Sequence, residues 1–285
     1  MSAPYELRPL DLSDAGLAPV TDLLRTVFPE AGHFTPEVLR WQYVHNPDGA
    51  AVGFNAWAGG TLAAHYVTIP LRAVVHGVEE PGLLSLNTAT HPQHQGKGLF
   101  TRLAEATYAA GAAQGRGFVV GVANANSTPG FTRKLGFQLV APLDARIGAG
   151  PLPWRADAPA PRFAPVHDAR KLAWRLAHPA YRYGRAVQRD HTVLLSARRM
   201  KGFRFVLGVE PGSPEAGGLP RVAPPLLKAF IGLDPAMRWS GSTYWNVPMK
   251  FRPAPLNLIF KDLSGRGRQL EAGAVRFHAT DFDVL

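Results

Sequence analysis

Residues Thr88–Gly98 read Thr-Ala-Thr-His-Pro-Gln-His-Gln-Gly-Lys-Gly, and they leave the flanking chain few ways to fold. Before them lies Leu83-Leu84-Ser85-Leu86, an apolar run of the length of a buried strand. After them Leu99, Leu103, Ala106 and Ala110 recur at helical spacing. Gly96 and Gly98 carry no Cβ, so the backbone can curl until several N–H groups converge. The helix start adds unpaired donors and about half a positive charge. A strand, a glycine loop and a helix in this order predict an α/β protein with a site for a phosphate or pyrophosphate.

The spacing excludes two familiar phosphate loops. A dinucleotide fingerprint needs a third glycine, which is absent, and Gly96-Lys97-Gly98 does not complete the G-x-x-x-x-G-K-[ST] pattern. Gln93-His94-Gln95-Gly96-Lys97-Gly98 instead fits Q/R-x-x-G-x-G/A. Downstream, the strand-like Phe118–Val122 leads to Asn124-Ala125-Asn126 and then to Gly130-Phe131-Thr132-Arg133-Lys134-Leu135-Gly136-Phe137. Together the two segments resemble the signatures of the GNAT superfamily of N-acetyltransferases, over about residues 3–148.

That resemblance implies a mixed central sheet flanked by helices, with acetyl-CoA as co-substrate in a gap between the fourth and fifth strands. It places Thr88, Ala89 and Thr90 along the pantetheine arm, with a main-chain N–H there, at Thr90, polarising the thioester carbonyl. It places Gln93, His94, Gln95, Gly96, Lys97, Gly98, Leu99 and Phe100 around the pyrophosphate. Lys97 either adds a point charge or faces solvent. Asn124 and Asn126 either bond the pantetheine amides or cap the helix expected over Ser127–Leu135, and Phe131 is placed at the cofactor. Asn87, with His65, Tyr66 and His45, is a polar candidate beside the acceptor pocket, and Asn87 joins Thr90 as a catalytic candidate.

One departure concerns the leaving group. The family commonly has a tyrosine four residues before the glycine of Lys-Leu-Gly-Phe, and here that position is Thr132. No carboxylate occurs between Leu83 and Lys97 to act as base. Deprotonating a lysine-like amine at pH 7 costs roughly 4.6 kcal/mol, against about 1.4 kcal/mol for an amine of pKa near 8. A weakly basic amine, as on an amino sugar or aminoacyl compound, is therefore the expected acceptor. The alternative is a non-catalytic acyl-CoA-binding or regulatory module. Thr280-Asp281-Phe282-Asp283 offers two further carboxylates for a base.

The remaining chain sets the limits. Its 285 residues contain no cysteine, so disulfides and thiolate chemistry are excluded. The ten histidines show no ligand-like pairing with carboxylates, so no metal is expected. Neither a signal peptide nor a membrane span is apparent, which predicts a cytoplasmic protein. The net charge of +10 comes from dispersed arginines rather than from a nucleic-acid motif. Residues 1–148 are expected to form the acyl-CoA-binding domain, residues 149–166 a Pro/Gly/Ala-rich linker, and residues 167–285 a C-terminal domain. Leu172-Ala173-Trp174-Arg175-Leu176-Ala177-His178-Pro179 echoes Leu39–Pro47, so that domain, expected to be of α+β type, is either a degenerate copy of the first or matches it by chance in a Leu/Ala/Arg-rich chain. It would wall the acceptor pocket or form a dimer interface. Within it, Pro225–Ile231 is expected to be helical.

Overall fold

The computed structural model describes residues 5–188, 191–198, 203–212, 219–252 and 255–282. Ser13 caps helix α1 (Asp14–Val27) by accepting from the Gly16 N–H, and Thr35 caps α2 (Pro36–Tyr43) in the same way through Val38. Strands β1 (Glu6–Pro9), β2 (Val52–Ala58), β3 (Thr61–Val75) and β4 (Val78–Thr90) form an antiparallel run. The two expected strands Leu62–Ile69 and Leu71–Val75 are one continuous β3. Pro70 lies inside it, opposite Leu83 of β4. Helix α3 (Leu99–Ala113) then crosses to β5 (Phe118–Ala123), parallel to β4. The helix expected over Ser127–Leu135 is mostly a wide π turn at Gly130–Lys134. It is followed by β6 (Gln138–Pro142) and β7 (Asp144–Ala149).

Residues 149–166, expected as a linker, are packed. Leu152 is buried, Trp154 bridges to Met237, and β8 (Phe163–Pro165) pairs with the end of β3. The apolar side chains hidden in this proline-rich stretch give it a core to bind, which composition alone conceals. Next come α4 (Ala169–Leu176), β9 (Tyr183–Gln188), β10 (His191–Ser196), β11 (Arg204–Pro211) and β12 (Leu227–Leu233). β13 (Tyr244–Asn246), β14 (Asn257–Asp262) and β15 (Phe277–His278) complete the fold.

Pro225–Ile231 is not helical: β12 lies between β11 and β7, with Phe230 buried. The short apolar run fits either period, and its central place in a sheet decides the outcome.

The first sheet runs β1-β2-β3-β4-β5-β14-β6 and the second β9-β10-β11-β12-β7-β13. From β2 onward the second repeats the first strand for strand, including one parallel pair, β4 with β5 and β11 with β12. Each half sends one strand to the other sheet: β14 inserts between β5 and β6, and β7 between β12 and β13. The sheets therefore do not divide the chain at a single position near residue 148.

Alternation along the strands sorts the core. Leu83, Val119 and Ile259 face α3, whereas Leu84, Val120 and Phe260 join a core shared with α1, α2, α4 and the second sheet. Where the halves meet, Trp41 of α2 stacks on Trp174 of α4 at 4.4 Å. Each indole N–H donates to the other residue's carbonyl at 3.0 Å. The two echoed sequence segments thus touch each other.

In the second sheet, pairing of β11 with β12 stops at Val206–Phe230. Beyond that point the chain's own C-terminal segment fills the opening, with β15 pairing to β12 and Thr280 close to Gly208. Charged groups hold this wedge in place. His167 lies 2.7 Å from Glu210 and 2.6 Å from Asp281, and His278 lies 3.0 Å from Asp234. Burial alone would lower the His167 pKa, but Asp281 and Glu210 outweigh it and raise it from 6.5 to about 10.

Folded His167 therefore keeps a proton that an unfolded histidine loses. This contribution is complete below pH ~6.5 and vanishes as the pH climbs toward 10, with a slope approaching about 1.4 kcal/mol per pH unit. His167→Gln leaves two buried carboxylates uncompensated and is expected to cost about 3–5 kcal/mol at pH 7. Urea unfolding at pH 6.5–10 is expected to show the alkaline loss in the native protein and not in the variant. Parallel pH profiles would contradict this.

Candidate functional site

Strand β4 ends in a bulge. Its register with β3 runs Leu86–Val67 and then Ala89–His65, so Asn87 and Thr88 together face one residue. Asn87 adopts φ +46 there, a conformation that asparagine tolerates better than most side chains. On its other edge β4 pairs with β5 only from Leu83–Val119 to Ser85–Gly121. β4 continues to Thr90 and β5 to Ala123, so beyond Ser85 the strands part. The main chain at Thr88, Ala89 and Thr90 borders that gap, with Ala89 buried and both threonines half-buried.

A buried polar chain clamps the bulge. Asn87 Nδ2 donates to Gln42 Oε1 at 2.7 Å and to the Tyr43 hydroxyl at 2.9 Å. The Tyr43 hydroxyl lies 3.3 Å from His65 Nε2, and His65 Nδ1 lies 2.7 Å from Asn55 Oδ1. Burial pushes the His65 imidazole down to about 3, so it is neutral. Nδ1–H then donates to Asn55, and Nε2 accepts from Tyr43. Both N–H bonds of the Asn87 amide are committed to holding the bulge.

Beyond Thr90 the His91 N–H returns to the Ala63 carbonyl, and Pro92–His94 makes a single tight turn. Gly96 and Gly98 follow with φ +73 and +71. A Cβ at either glycine would meet no atom within 4 Å, so backbone conformation rather than crowding selects glycine. Gly98 is the N-cap of α3 and no side chain caps that end, which leaves the first-turn N–H groups of Leu99 and Phe100 open to a ligand. Gln93, Gln95 and Lys97 are exposed around the turn, and His94 Nδ1 is engaged by the Tyr5 hydroxyl at 2.9 Å. Uncapped donors, a curled loop and an exposed ammonium fit a pyrophosphate group.

Other expected contacts are placed differently. Asn124 Oδ1 accepts from the N–H groups of Asn126 and Ser127, both at 3.0 Å, so Asn124 caps the turn after β5. Asn126 is exposed on that turn. Phe131 is buried at 5.1 Å from both Phe100 and Phe137, a core ring beneath the loop. The Thr132 hydroxyl donates to the Thr128 carbonyl at 2.9 Å and has no proton to offer a thiolate.

His65 and Tyr66 are both buried, while His45 is exposed beyond α2. The Tyr66 hydroxyl meets Ser85 Oγ at 2.7 Å and also the Tyr108 hydroxyl, at the vertex where β4 and β5 part. Burial pushes both phenols far above the usual tyrosine range. Asp281, offered as a base, is locked to His167 and the His278 N–H, and Asp283 lies outside the described residues. Gln42, Tyr43, Asn55 and Tyr108 escaped sequence reasoning. The one available signal was polar residues at Asn55 and His65 within apolar strands, where they turn out to be direct cross-strand partners.

A sequence model described as an acetyltransferase (GNAT) domain matches residues 8–140. This span holds the parted strands, the bulge and the glycine loop. Residues 8–140, a little under half of the chain, are thus similar to a GNAT acetyltransferase domain. No curated protein matches the chain.

Similar solved structures extend the likeness to the whole fold. A probable N-acyltransferase from Enterococcus faecalis V583 aligns with TM-score 0.59 at 10% identity, over 92% of this chain and 73% of that one. Eis1 from Mycobacterium abscessus aligns with TM-score 0.60 at 14% identity, over 92% and 74%. A GCN5-related N-acetyltransferase from Anabaena variabilis aligns with TM-score 0.61 at 9% identity, over 90% and 73%. At such identities the likeness is one of fold. The second sheet fits a GNAT-like copy whose own gap is filled by the segment from β15 onward. Among the described residues, no helix is long and apolar enough to cross a membrane.

Proposed function

We propose that the chain transfers an acetyl or similar acyl group from CoA to a primary amine of a small molecule, such as an amino sugar or aminoacyl compound. The observation that carries this reading is the parting of β4 and β5 directly above an uncapped glycine loop. Acetyl-CoA supplies an acyl group activated as a thioester. The chain's residues supply position and electrostatics. The N–H groups of Gly96, Gly98, Leu99 and Phe100 hold the pyrophosphate, with Lys97 adding charge. The bulge fixed by Asn87 sets the main chain of Thr88, Ala89 and Thr90 along the gap. An N–H there polarises the acyl carbonyl while the amine attacks. Asn87 serves by holding this geometry.

Among the described residues, neither β4 beyond Ser85 nor β5 carries a carboxylate, and Thr132 is bonded to backbone, so the amine is expected to arrive largely neutral. This favours acceptors of pKa near 8 over lysine-like amines. That reading goes with a cytoplasmic protein, where the acyl donor is found. Thiol release measured over a panel of amines tests it: release is expected with amino sugars or aminoacyl amines, and faster release with lysine-type amines would overturn the acceptor class. The occupied Thr132 hydroxyl equally favours a second reading, a non-catalytic acyl-CoA-binding module, which predicts binding without release on any amine.

Because the second gap is filled, one acetyl-CoA per chain is expected in calorimetric titration. A stoichiometry of two would contradict the wedge.

A further inference from the structure

Helix α2 meets both halves of the chain through three successive residues, Trp41, Gln42 and Tyr43, all buried. Gln42 and Tyr43 hold Asn87, and with it the bulge beside the parted strands. Trp41 packs on α4 of the second half. The last turn of a helix leaves carbonyls without an intrahelical donor. Here the N–H groups of Val44 and His45 both go to the Arg40 carbonyl, at 2.9 and 3.1 Å, and pass over Trp41. The indole N–H of Trp174 takes the Trp41 carbonyl instead, at 3.0 Å. A side chain of the second half therefore caps the turn that carries Gln42 and Tyr43.

Two further contacts tie the same helix end to α4. The Trp41 indole N–H donates back to the Trp174 carbonyl at 3.0 Å, and the two rings stack. Lys171, one turn earlier on α4, holds the chain just beyond α2: its ammonium lies 2.9 Å from Asn46 Oδ1 and 2.7 Å from Asp48 Oδ2. Asn46 Nδ2 in turn donates to the Pro70 carbonyl of β3 at 2.7 Å. Apolar packing is tolerant of small rotations, whereas directed hydrogen bonds weaken steeply when misaligned. The end of α2 is thus fixed by α4, and Asn87 is one hydrogen bond away from it.

We propose that Trp174 is a positioning residue for the site in the first sheet: through the Trp41 carbonyl it fixes the last turn of α2, and so the bulge that sets the main chain of Thr88–Thr90. The second half, whose own gap is filled, thereby serves the open one. The effect on turnover rests on the acyl-transfer reading; the effect on the bulge does not. Trp174→Phe keeps a ring to stack and removes the N–H. Trp239→Phe is the control, since it loses one indole bond, to Asp144 Oδ2, among Phe230 and Tyr244 of the second half. In the full chain, amide hydrogen exchange over Leu86–His91 is expected to quicken roughly tenfold or more in Trp174→Phe and to stay native in the control. Thiol release is expected to lose roughly tenfold or more in kcat in Trp174→Phe only, with KM for acetyl-CoA within about twofold. Asn87→Ala already frees the bulge, so adding Trp174→Phe to it is expected to cost nothing further. Native exchange over Leu86–His91 in Trp174→Phe, equal effects in Trp239→Phe, or full additivity with Asn87→Ala would overturn the proposal. If the native chain releases no thiol with any amine, the acyl-transfer reading fails, and exchange at the bulge still decides the role of Trp174.

Discussion

Gly98→Asp is expected to weaken acetyl-CoA binding at least 100-fold, about 2.7 kcal/mol, with the fold intact. Gly98 sits at φ +71 at the start of α3, and a Cβ there meets no protein atom. Aspartate tolerates this conformation better than most residues. The damage therefore falls on the ligand: a carboxylate would occupy the space of the pyrophosphate and repel it from the α3 N-terminus. Gly265→Asp is the control, because Gly265 has φ +76, similar open space and a place in a turn far along the chain. Calorimetric titration of both variants checks the prediction. Equal affinities in the two would mean that the loop does not hold the donor.

Phe260→Ala is expected to destabilise the protein by about 3–5 kcal/mol and to do so in both halves at once. Phe260 lies on β14, the strand that the second half lends to the first sheet, and is 1% exposed. Its ring stacks on Phe118 at 5.8 Å and meets Phe163 edge-on at 6.0 Å. Since β7 is lent in the opposite direction, neither sheet is complete without the other half. Urea unfolding followed by tryptophan fluorescence and by circular dichroism is expected to give one coincident transition for native and variant. Two separate transitions would show that the halves fold independently.

Local features were legible where local physics governs them. Ser13 and Thr35 cap their helices as their positions imply, and the glycine loop joins β4 to α3 as its flanking periodicities require. The echo between Leu39–Pro47 and Leu172–Pro179 pointed to duplication. The repeated strand order, and the stacking of Trp41 on Trp174, give it structural form. Pro225–Ile231 was misread because four or five apolar residues fit a helix face and a buried strand equally well. In residues 149–166 the proline and glycine content conceals Leu152 and Phe163, both buried.

Site residues divide along the same line. Gly96 and Gly98 declare themselves, since a backbone with positive φ restricts the residue type wherever the rest of the chain goes. Asn124 did not reveal its capping role, because the same amide can bond a ligand or the next turn. Gln42, Tyr43, His65 and Asn87 come from three separate segments, and only folding brings them into one hydrogen-bonded chain. The sequence by itself determined the glycine loop, the helix caps and the first half's resemblance to a family, because each rests on short local patterns of residues. Tertiary structure alone decided the exchange of β7 and β14, the filling of the second gap and the partners of Asn87. Each of those depends on which distant surfaces can be buried together, and one chain order is compatible with several such pairings.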